Sequence, residues 1–264
     1  MADSSTARNP IAITLAVWKA IFLREALERL FDMRAAWLWL VMEPLMHMGF
    51  YAFIYSVIRM RDVGGADIVI WIVVGMLGFF LFRRTADQVT HAVDSNQPLF
   101  AYRQVKPFDA AFMRAALECF LMLIVSIIIL SIAALLGHFA PPDDILLILM
   151  AFSGLWLFGF SYGLIASVAM RLIPEMKHIL KILMLPLYII SGVIWPLHLI
   201  PQPYQDWLMI NPIAHGVELV RAGFVARYYV IPGTDLGYLY GCGIVSLFVG
   251  LVLYRRFDAQ LIMK

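Results

Sequence analysis

Charge is scarce in this 264-residue chain: 14% of its residues are Asp, Glu, Lys or Arg, against roughly 25% in a soluble domain. With 62% hydrophobic residues and a mean hydropathy of +0.84, a soluble globular domain is excluded and a polytopic membrane protein is indicated. Cysteine is nearly absent. Cys119 and Cys242 lie inside apolar stretches without CxxC spacing, so neither a disulfide framework nor a zinc site is expected. The sequence has no G-x-x-x-x-G-K-[ST] loop and no G-x-S-x-G elbow, and its six histidines form no HExxH or HxxxH pair; nucleotide binding of the P-loop kind and the common hydrolase and metal sites are excluded. A net charge of +2 without exposed basic runs argues against nucleic acid. What remains is a conduit or carrier without its own motor, or a membrane-embedded transferase.

Long apolar runs are what the sequence has in abundance. A hydrocarbon core about 30 Å thick needs roughly 20 apolar residues per helix, and segments of that kind occur near 35–58, 68–82, 110–136, 145–170, 178–197 and 235–254. The reading is therefore all-α with six transmembrane helices, the second of them short. No cleavable signal peptide is expected before the first span, because residues 1–34 hold five basic residues and no small-residue cleavage site after an apolar core. An even number of spans puts both termini on one side. Fifteen basic residues flank the spans on that side, and Arg59, Arg61, Arg221 and Arg227 on the other, so both termini are expected in the cytoplasm.

Residues 10–32 place Ile11, Leu15, Trp18 and Phe22 at helical spacing, with Arg24, Glu25, Glu28, Arg29 and Asp32 on other faces. Residues 1–34 thus read as a cytoplasmic, interfacial amphipathic helix ahead of a permease domain at 35–264. Within the first span, Glu43, His47, Tyr51 and Tyr55 recur every fourth residue and form one polar and aromatic stripe. An ionisable group at this depth faces the bundle interior or a water-filled path; an internal pair of Glu43 with His47, or a protonated Glu43 capping a group freed by Pro44, explains the same residues.

The second span carries Trp71, Gly75, Gly78 and Phe79, and the fourth carries Ser153, Gly154, Gly159, Ser161, Gly163 and Ser167; both patterns read as close helix packing. Arg114 and Glu118 in the third span, four residues apart, read as a near-interface ion pair. The loop 83–107 is expected to extend the second span as a helix to about Asp94, turn at Ser95–Pro98 and then expose Leu99, Phe100 and Tyr102. Exposed aromatics between basic residues suggest a docking knob for a cytoplasmic partner, or aromatics at headgroup level.

Pro186, Gly192 and Pro196 interrupt the fifth span. Such irregular backbone at membrane depth is tolerated where it is buried in protein or lines a cavity, and a cavity-lining element is the expectation. Beyond Pro201 and Pro203, Asn211 is placed to cap a helix with Pro212 at its first position. On that helix His215, Glu218 and Arg221 lie off the apolar stripe of Ile213, Val217, Val220 and Phe224, so the segment is expected to lie in or on the outer leaflet and turn a polar face toward a pathway mouth. A secondary transporter would pair two broken helices, whereas the second span has only glycines. A transferase would need converging acids and histidines, whereas Glu43, His47, His198, Asp206, His215 and Glu218 are scattered.

Together the spans, the amphipathic start, "NQPLFAYRQVKPFDAAF" and "SGVIWPLHLIPQPYQDWLMINPIAHGVELVRAGF" resemble the type 2 export permeases of ABC transporters, and within them the branch exporting capsular polysaccharide. The resemblance covers essentially the whole chain and is most specific from Ser191 to Arg221. It implies a homodimer with two separate ATPase subunits that bind ATP and Mg, no cofactor in this chain, and a location in the bacterial inner membrane. Gln97, Pro98, Leu99, Phe100, Tyr102 and Arg103 would contact the ATPase. Glu43, His47, Tyr51 and Tyr55 would line a translocation path opposite Tyr188 and Trp195. The segment 196–233 would form re-entrant periplasmic gate helices bearing Trp207, Asn211, His215, Glu218 and Arg221. A glycolipid or polysaccharide substrate, a periplasmic co-polymerase and outer-membrane export proteins are implied as partners. O-antigen, teichoic acid and small molecules travel on related frames; the lack of a long periplasmic domain favours a polymer or glycolipid.

Overall fold

Capping side chains set four of the helix starts in the computed structural model, which describes residues 10–31, 35–58, 62–102, 104–139 and 141–262. The order is α1 (Pro10–Phe31), α2 (Ala36–Val57), β1 (Asp62–Val63), β2 (Ala66–Asp67), α3 (Ile68–Thr90), α4 (Ala92–Ser95), a 3-10 turn (Gln97–Ala101), α5 (Pro107–Leu135), α6 (Ile145–Leu172) and α7 (Met176–Ile190). A 3-10 turn (Leu197–Leu199), α8 (Tyr204–Leu208), α9 (Pro212–Phe224), α10 (Leu236–Arg256) and α11 (Asp258–Ile262) follow. Asp67, Asp144, Asn211 and Asp235 each accept a first-turn N–H of α3, α6, α9 and α10, donors that no backbone carbonyl reaches. The cap expected at Asn211 is therefore present, with Pro212 at the first helical position. Among the described residues the only sheet is the β1–β2 hairpin, so the all-α reading holds.

α3 is the axis of the bundle. It is buried along most of its length and packs against α2, α5, α6 and α9. Small residues permit the approach: a Cβ on Gly159 of α6 would lie 2.7 Å from the Phe82 carbonyl oxygen, and one on Gly163 would lie 2.8 Å from that of Ala86. This is the packing expected from the fourth span. The outer faces of α5 and α10 leave Phe120, Leu123, Ile127, Ile244, Val245 and Phe248 exposed, as lipid-facing surfaces require.

Among the described residues, α3, α5, α6 and α10 are long and apolar enough to cross a membrane. The second span is not short, because α3 continues past residue 82 to Thr90. The segment expected as the fifth span is the short one: α7 has 15 residues, about 22 Å of helix. It stops where Gly192 takes φ +69°, a left-handed conformation that favours glycine.

Two amphipathic segments lie differently from expectation. In α1, Ile11 and Leu15 are exposed, while Trp18 donates to Asp109 Oδ1 at 2.8 Å and Phe22 meets Phe120 edge-on. Glu25, read as part of a polar outer face, is 1% exposed, because α5 presents a buried arginine to it. α9 does not lie on the surface of the bundle; it packs between α3, α6 and α10, and its polar residues are buried with it.

Candidate functional site

Three neighbouring groups of polar side chains are built on this frame, and the first encloses space. Because α2 repeats Glu43, His47 and Tyr51 every fourth residue, all three project to one side and line a cavity of about 750 Å³. α3 adds Phe79, Arg83, Arg84 and Asp87, the residue that follows it adds His91, α6 adds Tyr162, and α7 adds Lys177, Lys181 and Tyr188. The cavity is graded. Its charged end lies toward the loop after α3, where Arg83 donates to Glu43 at 3.1 Å. Its inner end is aromatic: the His47 ring lies 5.9 Å from Tyr188 and 5.6 Å from Tyr51, and Phe79 lies 5.0 Å from Tyr188. Glu43 is thus partnered by Arg83 on the next helix, not by His47 one turn on.

Tyr55 and Trp195 are not part of this lining. Tyr55 is buried and its hydroxyl donates to the Ile194 carbonyl. Trp195 is 60% exposed, carried outward by the chain that leaves α7 at Gly192.

A second group holds that chain in place. Arg221 on α9 is 1% exposed and donates to the carbonyls of Gly192 at 2.9 Å, Val193 at 3.0 Å and Trp71 at 3.2 Å, and to Glu218 at 2.8 Å. Its guanidinium lies 3.6 Å from the centre of the Trp71 ring. Gly75 leaves the room, since a Cβ there would come within 2.3 Å of the guanidinium. Tyr228 donates to Glu218 at 3.0 Å and accepts from Trp71 at 3.1 Å. A planar cation with donors on several edges suits this position: it satisfies carbonyls that the break in α7 leaves without helical partners.

His215 is also structural. The Asp235 N–H donates to Nδ1 at 2.9 Å, so Nε2 carries the proton and donates to the Met209 carbonyl at 2.6 Å. Asn211 Nδ2 reaches Ser191 at 2.8 Å and ties α9 to the end of α7. His215, Glu218 and Arg221 therefore turn inward, contrary to the expected outward polar face. They lie off the apolar stripe because they satisfy each other and the backbone. Trp207 is exposed, edge-on to Tyr204.

The third group surrounds the turn at Gln97–Ala101. Phe100 is 9% exposed, packed with Val89, Ala92, Val93 and Ala110, so it is a root of the turn and not the exposed knob expected. Tyr102 is 68% exposed; Pro98 is exposed, Gln97 and Leu99 are half-buried, and Arg103 lies outside the described residues. Beneath the turn, buried Asn96 donates to Glu25 Oε1 at 2.7 Å and accepts from Arg24. Arg114 donates to the same Glu25 oxygen at 2.9 Å. Glu118 receives Arg84 at 2.8 Å and Arg29. Arg114 and Glu118 are thus not paired with each other; each takes partners from other helices. Burial raises the Glu25 pKa, but the Arg114 hydrogen bond and charge, with Asn96 and Arg24, outweigh it and hold the carboxyl below its ordinary value.

A profile described as ABC-2 type transporter matches residues 16–225. The chain belongs to the ABC-2 type transporter family. It is similar to the polysialic acid transport protein KpsM of Escherichia coli, 35% identical over 97% of this chain and 99% of the relative. The capsule polysaccharide export inner-membrane protein CtrC of Neisseria meningitidis is 29% identical over 90% of both chains. BexB of Haemophilus influenzae, named likewise, is 26% identical over 97% of this chain and 96% of the relative.

Several residues of this ABC-2 chain that sequence reasoning did not single out stand in these groups: Asn96 and Arg84 beneath the turn, and Tyr162, Lys177 and Lys181 around the cavity. The available signal was complementarity, Arg24, Glu25 and Arg29 on one helix against Arg114 and Glu118 on another. Nothing in either segment alone states which neighbour it meets.

Proposed function

We propose that this chain is the membrane subunit of an ATP-driven exporter that moves capsular polysaccharide from cytoplasm to periplasm across the inner membrane. The observation that carries the reading is the near-complete coverage by relatives named for polysialic acid transport and capsule polysaccharide export. In this reading two copies pair, each with a separate ATPase subunit that binds ATP and Mg, and periplasmic and outer-membrane export proteins continue the route. α2 and α7 complete six spans around the path, with both termini in the cytoplasm.

The graded cavity supports the assignment. Aromatic faces of His47, Tyr51, Phe79 and Tyr188 suit a sugar chain that has to slide past without tight traps, since a conduit must bind well enough to admit its cargo and weakly enough to release it. The turn at Gln97–Ala101, with Tyr102 beside it, is the ATPase contact, and closure of the ATPase dimer favours the open path through contacts that differ between the two states. The 196–233 segment is the periplasmic gate.

The test uses a capsulated strain deleted for its own inner-membrane permease and supplied with this chain and its neighbouring ATPase. Surface polymer should return with the chain, and polymer should accumulate inside the cell without it. Absence of polymer both inside and outside the deletion strain would instead mark a transferase.

A further inference from the structure

Pro44 lies inside α2 and has no N–H, so the Leu40 carbonyl, four residues earlier, lacks the donor that would continue the helical ladder. In apolar surroundings a carbonyl freed in this way takes a partner from a neighbouring helix. Arg84 of α3 supplies it: Nη1 donates to the Leu40 oxygen at 3.4 Å, while Nε donates to Glu118 Oε1 at 2.8 Å. Glu118 on α5 is buried, and its other oxygen is taken by Arg29 of α1. The carboxylate therefore fixes the guanidinium, and the guanidinium fixes the carbonyl. Arg83, next along α3, binds Glu43, the residue immediately before the proline, at 3.1 Å. Both arginines thus pin the part of α2 that precedes Pro44. The part beyond it is held elsewhere. His47 and Tyr51 face the cavity, Met46 and Phe50 are exposed, and the far anchor is the Tyr55 hydroxyl, which donates to the Ile194 carbonyl in the irregular stretch after α7. A helix broken at a proline, with its two parts tied to different neighbours, has the construction of a hinge.

We infer that Pro44 is a hinge in the cavity wall and that Arg84 is its positioning residue, setting the angle at which His47 and Tyr51 enter the cavity. Arginine suits this place because its rigid fork of donors serves a carbonyl and a carboxylate at once. The group freed by Pro44 is met by this side chain and not by Glu43, which is engaged with Arg83. Loss of the Arg84 guanidinium frees the Leu40 carbonyl, yet Glu118 keeps Arg29 as its counter-charge. The hinge belongs to the wall of the cavity and holds whatever the cavity carries.

Pulsed electron paramagnetic resonance on the full-length chain in nanodiscs tests this, with Cys119 and Cys242 replaced by serine and spin labels on cysteines placed at Phe50, beyond the hinge, and Phe248, on the outer face of α10; both positions are exposed. Labelled chain is diluted with unlabelled chain, so that only distances within one molecule are read. The chain with Arg84 intact should give one distance. Arg84→Gln should add a second, with the ratio of the two shifted about tenfold, the effect of losing one hydrogen bond from a charged donor. A label pair at Trp39, before the hinge, and Phe248 should keep its single distance in both chains. Pro44→Ala restores the missing N–H, so adding Arg84→Gln to a Pro44→Ala chain should leave its single distance unchanged. A defect transmitted through Glu118 would not be rescued in this way. Where Arg84→Gln alone fails to fold, recovery of a folded, monodisperse chain by Pro44→Ala is the same rescue, and its failure overturns the inference. Identical distances in the Arg84 and Arg84→Gln chains, or a second distance that persists in the double variant, overturn it equally.

Discussion

Glu25 shows how one side chain joins three parts of the molecule. Its carboxylate, on α1, receives Asn96 at the root of the Gln97–Ala101 turn and Arg114 of α5. Replacing it with glutamine leaves Arg114 buried without a counter-charge, a change that costs about 3 kcal/mol; thermal unfolding of the purified chain in detergent would register it. The pH dependence has a definite sign. A carboxyl whose folded pKa is depressed below 4.5 contributes stability that is complete above the ordinary carboxylate range and is lost as pH falls through the folded value. Wild type should therefore lose stability on acidification below about pH 4.5 more steeply than Glu25→Gln, and a parallel loss in both would remove the ion pair from the account. Arg221 works in the same manner at the opposite end, where its donors replace the helical partners missing beyond Ile190.

At the scale of elements, periodicity made the helices legible, and capping chemistry located the start of one of them, α9, at Asn211 with Pro212. The stripe of Glu43, His47 and Tyr51 was legible as one face because every fourth residue of a helix shares a side, and its cavity lies where that face meets α7. Less legible was what each polar face meets. Arg114 and Glu118 suggest a local pair, and only the position of α1 and α3 beside α5 redirects them to Glu25, Arg29 and Arg84. Phe100 looks like an exposed aromatic until α4 and α5 roof it over, and Trp195 looks like path lining until Gly192 turns the chain outward. The inward turn of His215, Glu218 and Arg221 follows from α9 being packed among helices, a tertiary fact that amphipathicity alone does not contain. These assignments separate two roles in the Gln97–Ala101 turn and the residue after it. Phe100→Ala should destabilise the fold by about 3 kcal/mol. Tyr102→Ala should leave stability within about 0.5 kcal/mol while lowering ATP turnover of a complex with the ATPase. Intact turnover and export with Tyr102→Ala would move the partner contact elsewhere.

Across the whole molecule, the three polar groups lie on one line of helices. The Gln97–Ala101 turn rests on Asn96 and α1, the cavity runs between α2, α3, α6 and α7, and the broken end of α7 is clasped by Arg221 of α9 and by Tyr55 of α2. Movement imposed at the turn would reach the cavity through α3, which carries Arg83 and Arg84 into it and Trp71 into the upper cluster. The central claim is that this cavity is the route of the polymer. A photo-reactive residue at Tyr51, inside the cavity, and another at Phe248, on the outer face of α10, would be activated during ATP-driven export in cells. The account predicts polysaccharide-linked protein from position 51 and none from position 248; no adduct at 51, or equal adducts at both positions, would contradict it.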